Sequence, residues 1–489
     1  MIQVFTVGWY LQGGKNRALR FMRRPIRYLL FCLLLAIPCA QSSAKERVFV
    51  LTDISNEPDD EQSLVRFLVY SNEYDVEGIV ATTSEHLRDR TREDLIRRQI
   101  EAFGKVRENL VKHTGGYPTV EKLLEVTASG QPGFGMKAVL GKSSSPGSAL
   151  LLKAADKDDT RPLWISVWGG ANTLAKALLD ARDERSEDEL EKLITKLRVY
   201  TISDQDDAGR FLRREFPKLF YIVSPSASWR EYYRATWTGI SGDRHYKNGP
   251  GFRSEMVENP WLEKNVIKGH GPLGELYPKV AFIMEGDTPS YLGLIENGLG
   301  WAESPAFGGW GGRYALYESY AESHPIWTNN HWSRDTVTVD GKQYTSDPAT
   351  IWRWREHFQN DFAARMDWCI ANDFEKANHN PIAVLQGDRT KKVLKIEAKR
   401  GETLTLSSAG SSDPDGDEIE SRWMIYEEAG TSREFGGLSA ERGETVKLKI
   451  RENGRIHWKP ATLHVVLMVR DSGSPELVSY RRIVVAISD

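Results

Sequence analysis

The sequence is poor in cysteine and nearly balanced in charge. Of three cysteines in 489 residues, Cys32 and Cys39 lie within the first 44 positions, and only Cys369 follows them. An intramolecular disulfide is therefore excluded beyond that segment, and the core must hold the fold together by packing. The 65 lysines and arginines face 68 aspartates and glutamates, which leaves a formal net charge of −3. This balance lacks the basic surface that nucleic-acid binding requires, so we expect no nucleic-acid partner.

The apolar run near the N-terminus is too short for a membrane-spanning helix, which needs about 20 apolar residues. It covers residues 28–37, follows a basic stretch at residues 20–27, and precedes small residues at 42–44. This order is typical of a signal peptide. We therefore expect residues 1–44 to be removed, the protein to be secreted or periplasmic, and no stable membrane insertion to remain after cleavage. Met22 is an alternative to Met1 as the first residue.

The stretch at residues 47–70 concentrates oxygen-bearing side chains. Its apolar start at residues 48–51 predicts a buried strand, and the spacing of its later apolar residues predicts a helix. Between the two lie Asp53, Asn56, Glu57, Asp59 and Asp60. Carboxylates this close repel one another unless a cation lies among them, and open α/β sheets bind ligands at the carboxyl ends of their strands. A hard cation such as Ca²⁺ is one interpretation, and an acidic first turn of a helix is the other.

Other predicted strands also end in polar side chains. Glu85 and His86 follow residues 76–83, Asn172 follows the glycine pair after residues 163–168, Asp204 follows residues 197–203, and Glu285 and Asp287 follow residues 280–284. Because parallel strands bring their carboxyl ends to one edge of a sheet, these residues are candidates for the same site. Capping of the following helices is the alternative interpretation for the polar residues at these ends.

Residues 308–314 read GGWGGRY. Glycine weakens any helix or strand around it, so four glycines around Trp310 do not suit a core element. We expect a loop that presents Trp310, Arg313 and Tyr314 to a ligand, since aromatic rings stack on sugar faces. By contrast, the apolar spacing of residues 351–372 predicts a core helix.

From about residue 382 the pattern changes to short alternating strands separated by turns, which is typical of a β-sandwich with Trp423 near its centre. Residues 406–423, with the turn DPDGD at 413–417, resemble PKD-type and cadherin-like modules. That turn either binds Ca²⁺ or is a tight turn stabilised by its aspartates. We expect an α/β domain over residues 45–378 and a sandwich over 382–489. Because contacts between such domains are often modest, residues 45–380 should fold alone and keep the metal site.

The acidic stretch resembles the first strand and loop of nucleoside hydrolases, which read D-x-D-P-G-x-D-D. Here residues 52–60 read TDISNEPDD. Asp53 matches the first aspartate, Asp59 and Asp60 match the final pair, and Ser55 stands at the position of the second aspartate. The strand that ends in VATT and the GGANT turn resemble further segments of the same family.

Asp287 matches a late aspartate of that family, with Gly286 where the family has a histidine. The order of these segments, followed by a sandwich, resembles a secreted bacterial family described as cellulose-binding proteins with a nucleoside-hydrolase-like domain. The resemblance implies a Rossmann-like α/β fold, with a mostly parallel sheet covered by helices on both faces, and a C-terminal all-β, immunoglobulin-like sandwich. It also implies Ca²⁺ held by Asp53, Asp60 and Asp287, with Asp59 on the sugar hydroxyls.

Two functions follow from these expectations. The first is a secreted Ca²⁺-dependent hydrolase of N-glycosyl or related glycosyl bonds, in which Asp53 is the base. The leaving-group acid is then one of His86, His245 and His270. Glu85, His86, Asn172, Asp204, Glu285 and Trp310 are the expected substrate-binding residues.

The alternative is a non-catalytic protein on the same fold that binds cellulose or another carbohydrate. Ser55 in place of the family's second aspartate and Gly286 in place of its histidine favour this alternative. A structural surface protein is a third interpretation, and it rests on the sandwich alone. The ligand class is a carbohydrate or a nucleoside-like molecule. The sugar, the aglycone and the oligomeric state stay open.

Overall fold

The computed structural model describes residues 45–488 except 56, 225–228, 242–251, 320–321, 434 and 457–459. The expected signal peptide, with its cleavage site, and His245 therefore lie outside the described residues. Within them, no helix combines the length and apolar character needed to cross a bilayer.

Eight strands of the first part of the chain form one sheet. They are β1 Glu46–Thr52, β2 Tyr74–Ala81, β3 Thr127–Ser129, β4 Leu163–Val167, β5 Leu197–Thr201, β6 Phe220–Val223, β7 Ala315–Tyr317 and β8 Ile326–Thr328. Their order is β3-β2-β1-β4-β5-β6-β8-β7, and every neighbouring pair is parallel except β7 with β8. The chain leaves β1 toward one edge and β4 toward the other, so the space beyond β1 and β4 is the topological switch point where such sheets bind ligands.

Helices cover both faces of this sheet. The α-helices are α1 Pro58–Val69, α2 Glu93–His113, α3 Val120–Glu125, α4 Pro146–Ala155, α5 Asn172–Glu184, α6 Glu187–Lys196, α7 Ala208–Glu215, α8 Asn259–Leu262, α9 Gly271–Gly274, α10 Pro289–Leu292, α11 Ala349–Trp352 and α12 Arg355–Trp368. Apolar side chains of α1, α2 and α12 share one hydrophobic cluster, and those of α4, α5 and α7 share the other. The predicted nucleoside-hydrolase-like α/β fold is therefore confirmed.

One predicted strand is wrong. Residues 280–284 form turns and loop rather than a strand. Side chains take the place of strand pairing there, because Asn259 accepts the backbone N–H of Val280 and Gln62 accepts that of Glu285. The sequence also did not indicate β7, β8 or the hairpin of β9 Asp335–Val339 with β10 Lys342–Ser346.

The C-terminal region is built of β-sheets, as predicted. Its strands are β11 Leu394–Lys399, β12 Thr403–Ser407, β13 Ile419–Ile425, β14 Ser432–Arg433, β15 Gly436–Leu438, β16 Thr445–Ile450, β17 Arg455–Ile456, β18 Ala461–Asp471 and β19 Val478–Ser488. A sheet of order β11-β19-β18-β13 and a sheet of order β12-β16-β15 enclose a core of their own, and β14 pairs with β17. Trp423 is 2% exposed within that core, as its position in the pattern predicts.

The two parts of the chain also share a core. Tyr426 and Tyr480 of the C-terminal region belong to the same hydrophobic cluster as the helices of the α/β part. The Tyr480 hydroxyl is 2.5 Å from His357 Nδ1 and accepts a hydrogen bond from Trp310 Nε1. At Gly298, which has φ of 94°, a Cβ atom would lie 1.8 Å from the Tyr480 carbonyl oxygen. Contacts of this depth differ from the modest junction that the sequence suggested.

Buried charges add to this junction. Asp335 of β9 accepts hydrogen bonds from Arg313 and Arg353 and from the hydroxyl of Tyr426. Arg482 of β19 donates a hydrogen bond to the carbonyl oxygen of residue 308 at 3.0 Å. Separation of the two parts would leave buried polar groups without partners, which is costly.

We therefore expect a truncated chain of residues 45–380 to aggregate or to lose cooperative unfolding. The truncation uncovers the apolar side chains that pack against Tyr426 and Tyr480 and removes one partner of Asp335. Size-exclusion chromatography and thermal denaturation by circular dichroism measure this, with residues 45–489 as the control. A monomeric truncated chain that unfolds at the temperature of the control would show that the shared core is dispensable.

Candidate functional site

Four carboxylates meet beyond the carboxyl ends of β1 and β4. Asp53 directly follows β1, Asp59 and Asp60 lie in the first turn of α1, and Asp287 lies two residues before α10. Their side chains are only 1–6% exposed. Asp59, Asp60 and Asp287 each offer an oxygen within 4.8 Å of the other two. Of the three predicted cation ligands, Asp60 and Asp287 lie in this cluster, Asp59 takes the third place in it, and Asp53 lies beside it.

The local sequence places the N-terminus of α1 at the cluster of carboxylates. Pro58 occupies the start of the helix, where its missing N–H costs nothing and its fixed φ suits helical backbone. The free N–H groups of the first turn favour negative charge, which partly offsets the cost of burying two carboxylates there. The hydroxyl of Thr52, the last residue of β1, donates a hydrogen bond to Asp60. The strand end and the helix start are thus tied together across the acidic loop.

Asp53 is held between the ends of two neighbouring strands. Its Oδ2 accepts a hydrogen bond from the hydroxyl of Ser84, three residues after β2. Its Oδ1 is buried and has no hydrogen-bond partner among the described residues. On the β4 side, a Cβ atom at Gly169 would lie 2.5 Å from that oxygen, so only glycine allows the backbone to approach so closely. One carboxylate oxygen of Asp53 is left available to a ligand.

Burial and mutual repulsion raise the pKa of all four carboxyl groups. Burial is the largest cause for Asp59, whose pKa rises to about 8, and the charges of Glu57 and Asp53 raise it further. The pKa values of Asp60 and Asp287 lie well above the ordinary value, first through burial and then through the neighbouring carboxylates. Burial also raises the pKa of Asp53, while its hydrogen bond from Ser84 opposes the shift. The protein therefore supplies too little positive charge to stabilise the ionised form of these four carboxyl groups.

The donor set fits a hard divalent cation. It consists of carboxylate oxygens, it is buried, and it includes an oxygen of Asp53 with no protein partner. Ca²⁺ takes about six to eight oxygen ligands, which carboxylates can supply singly or in pairs. Arg66, which lies on the same helix as Asp59 and Asp60, is bound to Glu285 instead. A cation among the four carboxylates would relieve their repulsion.

Glu85 and His86 lie at the rim of this site. Both are exposed, and the backbone N–H of His86 donates to the same Ser84 hydroxyl that binds Asp53. His86 also lowers the pKa of Asp53 electrostatically, although burial outweighs it. The structure therefore places both residues where the sequence predicts a ligand-facing loop, with Glu85 paired to Arg88.

Four predicted substrate-binding residues are structural instead. Asn172 is fully buried, and its amide group donates to Thr83 Oγ1 and to the carbonyl oxygen of residue 133. Asp204 precedes α7 and accepts two hydrogen bonds of 2.8 Å from Arg213 near the end of that helix. Partners within the protein therefore already use both side chains.

Glu285 and Trp310 are the other two predicted substrate-binding residues that form contacts within the protein. Glu285 is fully buried and pairs with Arg66, while Tyr277 donates to it at 2.7 Å. Trp310 is 2% exposed and packs edge-to-face against Phe358 and Tyr480. The glycines around Trp310 serve close backbone packing rather than an exposed loop, and Arg313 and Tyr314 are buried as well.

The structure also adds residues that the sequence did not single out. Asp206 is buried beside Gly170, accepts the N–H groups of Asn172 and Ala208, and has its pKa raised to about 7, chiefly by burial. It was visible only as one member of the acidic run at residues 204–207. Thr52 and Ser84 stand beside the acidic loop and the Glu85–His86 pair in sequence, but a hydroxyl residue alone does not indicate which carboxylate it binds.

Gly286 stands where the resemblance places a histidine. A Cβ atom there would lie 2.6 Å from Ile283 Cδ1 and 3.0 Å from Asp59 Oδ2. The site therefore has no room for a larger side chain at this position. Of the predicted acids, His270 pairs with Asp367 on α12, and His86 is the described histidine that faces Asp53.

The family of the chain follows from comparison with known proteins. The profile described as "Cellulose-binding Sde182, nucleoside hydrolase-like domain" matches residues 47–314. The chain belongs to this family. The profile described as "Cellulose-binding protein Sde0182, C-terminal domain" matches residues 403–487. No curated protein matches the chain significantly.

One solved structure is similar to the chain over most of its length. A nucleoside hydrolase-related hypothetical protein from Saccharophagus degradans, described as associated with carbohydrate metabolism, is 35% identical. That alignment covers 91% of this chain and 100% of the other, with a TM-score of 0.76. Domains EC1-3 of mouse PcdhgC3 are 19% identical over 20% of this chain and 31% of that chain, with a TM-score of 0.14. The effector protein XOO4466 is 12% identical over 64% of this chain and 93% of that chain, with a TM-score of 0.31. Neither alignment supports a shared fold.

The raised pKa values predict how stability depends on pH when no cation is bound. With raised pKa values the folded state binds more protons than the unfolded chain, so stability falls as pH rises through the window between the two values. For Asp59 that window runs from 3.8 to about 8. We expect chelator-treated protein to lose melting temperature from pH 5 to pH 8, and Ca²⁺ to raise it more at pH 8. The Asp60→Asn variant should show a smaller pH-dependent loss, because it removes one of the repelling charges. Equal pH profiles for variant and wild type would contradict this account.

Proposed function

We propose that the chain is a secreted Ca²⁺-dependent hydrolase of N-glycosyl or related glycosyl bonds in a carbohydrate or nucleoside-like ligand. The observation that carries the proposal is the cluster of four buried carboxylates at the switch point of the sheet. Membership of a family with a nucleoside-hydrolase-like domain supports it. The basic, apolar and small-residue order of residues 1–44 supports secretion.

Asp59, Asp60 and Asp287 would hold the cation, with Asp53 beside them. When bound, Ca²⁺ would supply positive charge that offsets the carboxylates and polarises the oxygens around it. Asp59 Oδ2 would lie 3.0 Å from a Cβ atom at Gly286, and we assign this carboxylate to the sugar hydroxyls as well.

Asp53 is the proposed general base. Its buried Oδ1 has no partner among the described residues, and Ser84 fixes the orientation of the carboxylate. In that role Oδ1 takes a proton from the attacking water, which adds to an anomeric carbon with oxocarbenium character. The surrounding carboxylates stabilise the positive charge that develops on the sugar. His86 is the candidate that returns a proton to the leaving group.

Calcium binding tests the assignment of the carboxylates. We expect Asp60→Asn to abolish Ca²⁺ binding at the acidic site, and Asp53→Ala to weaken it by about 10- to 100-fold, as loss of a carboxylate beside a cation does. Isothermal titration calorimetry measures both. The Asp413→Ala variant removes an aspartate from the separate acidic turn at residues 413–417 and serves as the matched control. Equal affinity in Asp53→Ala and wild type would remove Asp53 from the cation site.

A second candidate function is carbohydrate binding without turnover. Ser55 occupies the position of the family's second aspartate and has φ of 110°, so its backbone follows a path that a non-glycine residue rarely takes. Gly286 leaves the acidic site without a histidine at the position where the resemblance places one. The description of the family, which names cellulose binding, also favours this candidate.

Parallel binding and turnover assays separate the two candidates. The hydrolase predicts product release from a panel of nucleosides and aryl glycosides, lost in Asp53→Asn and in chelator. Retention on insoluble cellulose with no release from any member of the panel would instead establish the binding protein. The Asp89→Asn variant, at an exposed carboxylate that has no assigned role, controls for general effects of neutralising a surface carboxylate.

A further inference from the structure

A cavity of about 280 Å³ lies where the α/β part meets the C-terminal region, apart from the four carboxylates. The α/β part contributes Thr114, Asn297 and Trp310 to its wall, and β19 contributes Ser479. Neither part of the chain forms this cavity alone. Its volume lies near the lower end of the range for ligand pockets, which is about 300–1,000 Å³, so it suits a small molecule.

The charged groups in the cavity wall neutralise one another. Arg365 is 5% exposed and donates hydrogen bonds to Glu73 at 2.8 Å and to Asp361 at 3.2 Å. His379 lies 2.9 Å from a carboxylate oxygen of Asp415. Lys391 is exposed and lies within electrostatic range of Glu73. A strongly charged ligand would have to break these pairs, so the wall favours a neutral one.

The remaining hydrogen-bonding groups are hydroxyls and an amide. Asn297 Oδ1 accepts the backbone N–H of Leu299 at 3.1 Å, and its amide nitrogen has no partner among the described residues. The hydroxyls of Thr114 and Ser479 likewise form no hydrogen bond within the described part of the chain. All three residues are half-buried rather than fully exposed. Polar groups of this kind, partly desolvated and unpaired, are stabilised by a ligand that both donates and accepts hydrogen bonds.

Aromatic rings complete the wall. Trp310, Trp368 and Phe374 line the same cavity. Trp368 and Phe374 stack against His113 and His379, which fixes their orientation. Because Trp310 and Trp368 are only 2% and 4% exposed, the rings close the wall, and the hydroxyl and amide groups are the ones that a ligand meets.

We propose that this interdomain cavity is a binding site for a short neutral saccharide of one or two rings, distinct from the acidic site. The neutralised charges exclude a strongly ionic ligand, and the free amide and hydroxyls match sugar hydroxyls. Because both parts of the chain build the wall, the shared core between them holds this site together. The inference uses none of the four carboxylates, so it stands or falls separately from the proposed hydrolysis.

Calorimetric titration of the full mature chain with cellobiose tests the site. We expect binding that Asn297→Asp and Ser479→Ala each weaken by about three- to tenfold, the effect of one neutral hydrogen bond. The Asp variant keeps an oxygen that accepts the Leu299 N–H, and it replaces the amide donors by a negatively charged oxygen, which a neutral sugar hydroxyl can meet only as a donor. Asn453→Ala removes an amide from a different surface groove and should bind like wild type. Ser479→Ala decides the result if Asn297→Asp fails to fold.

Asp59→Asn separates this site from the acidic one, because cellobiose affinity that this variant removes belongs to the acidic site, whereas affinity that the cavity variants weaken belongs to the interdomain cavity. Three results would overturn the proposal. They are no cellobiose binding by the wild type, unchanged affinity in both cavity variants, and loss of affinity in Asp59→Asn with the cavity variants unaffected.

Discussion

Repulsion among four buried carboxylates is the constraint on which the site depends. Asp59, Asp60 and Asp287 each offer an oxygen within 4.8 Å of the other two, and Asp53 lies close enough to raise the pKa of each of them. Burying like charges without a cation costs free energy, and the raised pKa values of all four express that cost. The N–H groups at the start of α1 and the hydroxyls of Thr52 and Ser84 offset this cost only in part. Such an arrangement is typical of a functional site.

A buried ion pair keeps the cluster assembled. Arg66 of α1 binds Glu285, and it also donates to the carbonyl oxygen of Phe358 in α12. Glu285 lies two residues before Asp287, so this pair fixes the segment that carries the fourth carboxylate. α12 in turn packs through Phe358 against Trp310 and, at His357, binds Tyr480 of the C-terminal region. The acidic site and the junction between the two parts are thus linked through one helix.

The sequence predicted the sheet, the acidic strand ends and the C-terminal β-structure, because each rests on local periodicity and on short-range spacing. Asp60 and Asp287 meet as the order of the acidic segments indicated, although the strand predicted before Asp287 is a loop. Glu285 and Trp310 were misread for opposite reasons. The carboxylate of Glu285 looked functional because its partner Arg66 is far away in sequence, and Trp310 looked exposed because its glycines are needed for packing against distant segments. Partnerships of this kind are set by tertiary structure, which local patterns do not contain.

Anomalous diffraction from a crystal of the full mature chain grown with Ca²⁺ and then exchanged into Mn²⁺ tests the central claim most directly. The account predicts an ion within bonding distance of Asp59, Asp60 and Asp287, with carboxylate oxygens at about 2.3–2.6 Å when the ion is Ca²⁺. It also predicts that the unpartnered oxygen of Asp53 faces that ion or a ligand on it. No anomalous peak at this point, or a peak only at the turn of residues 413–417, would contradict it.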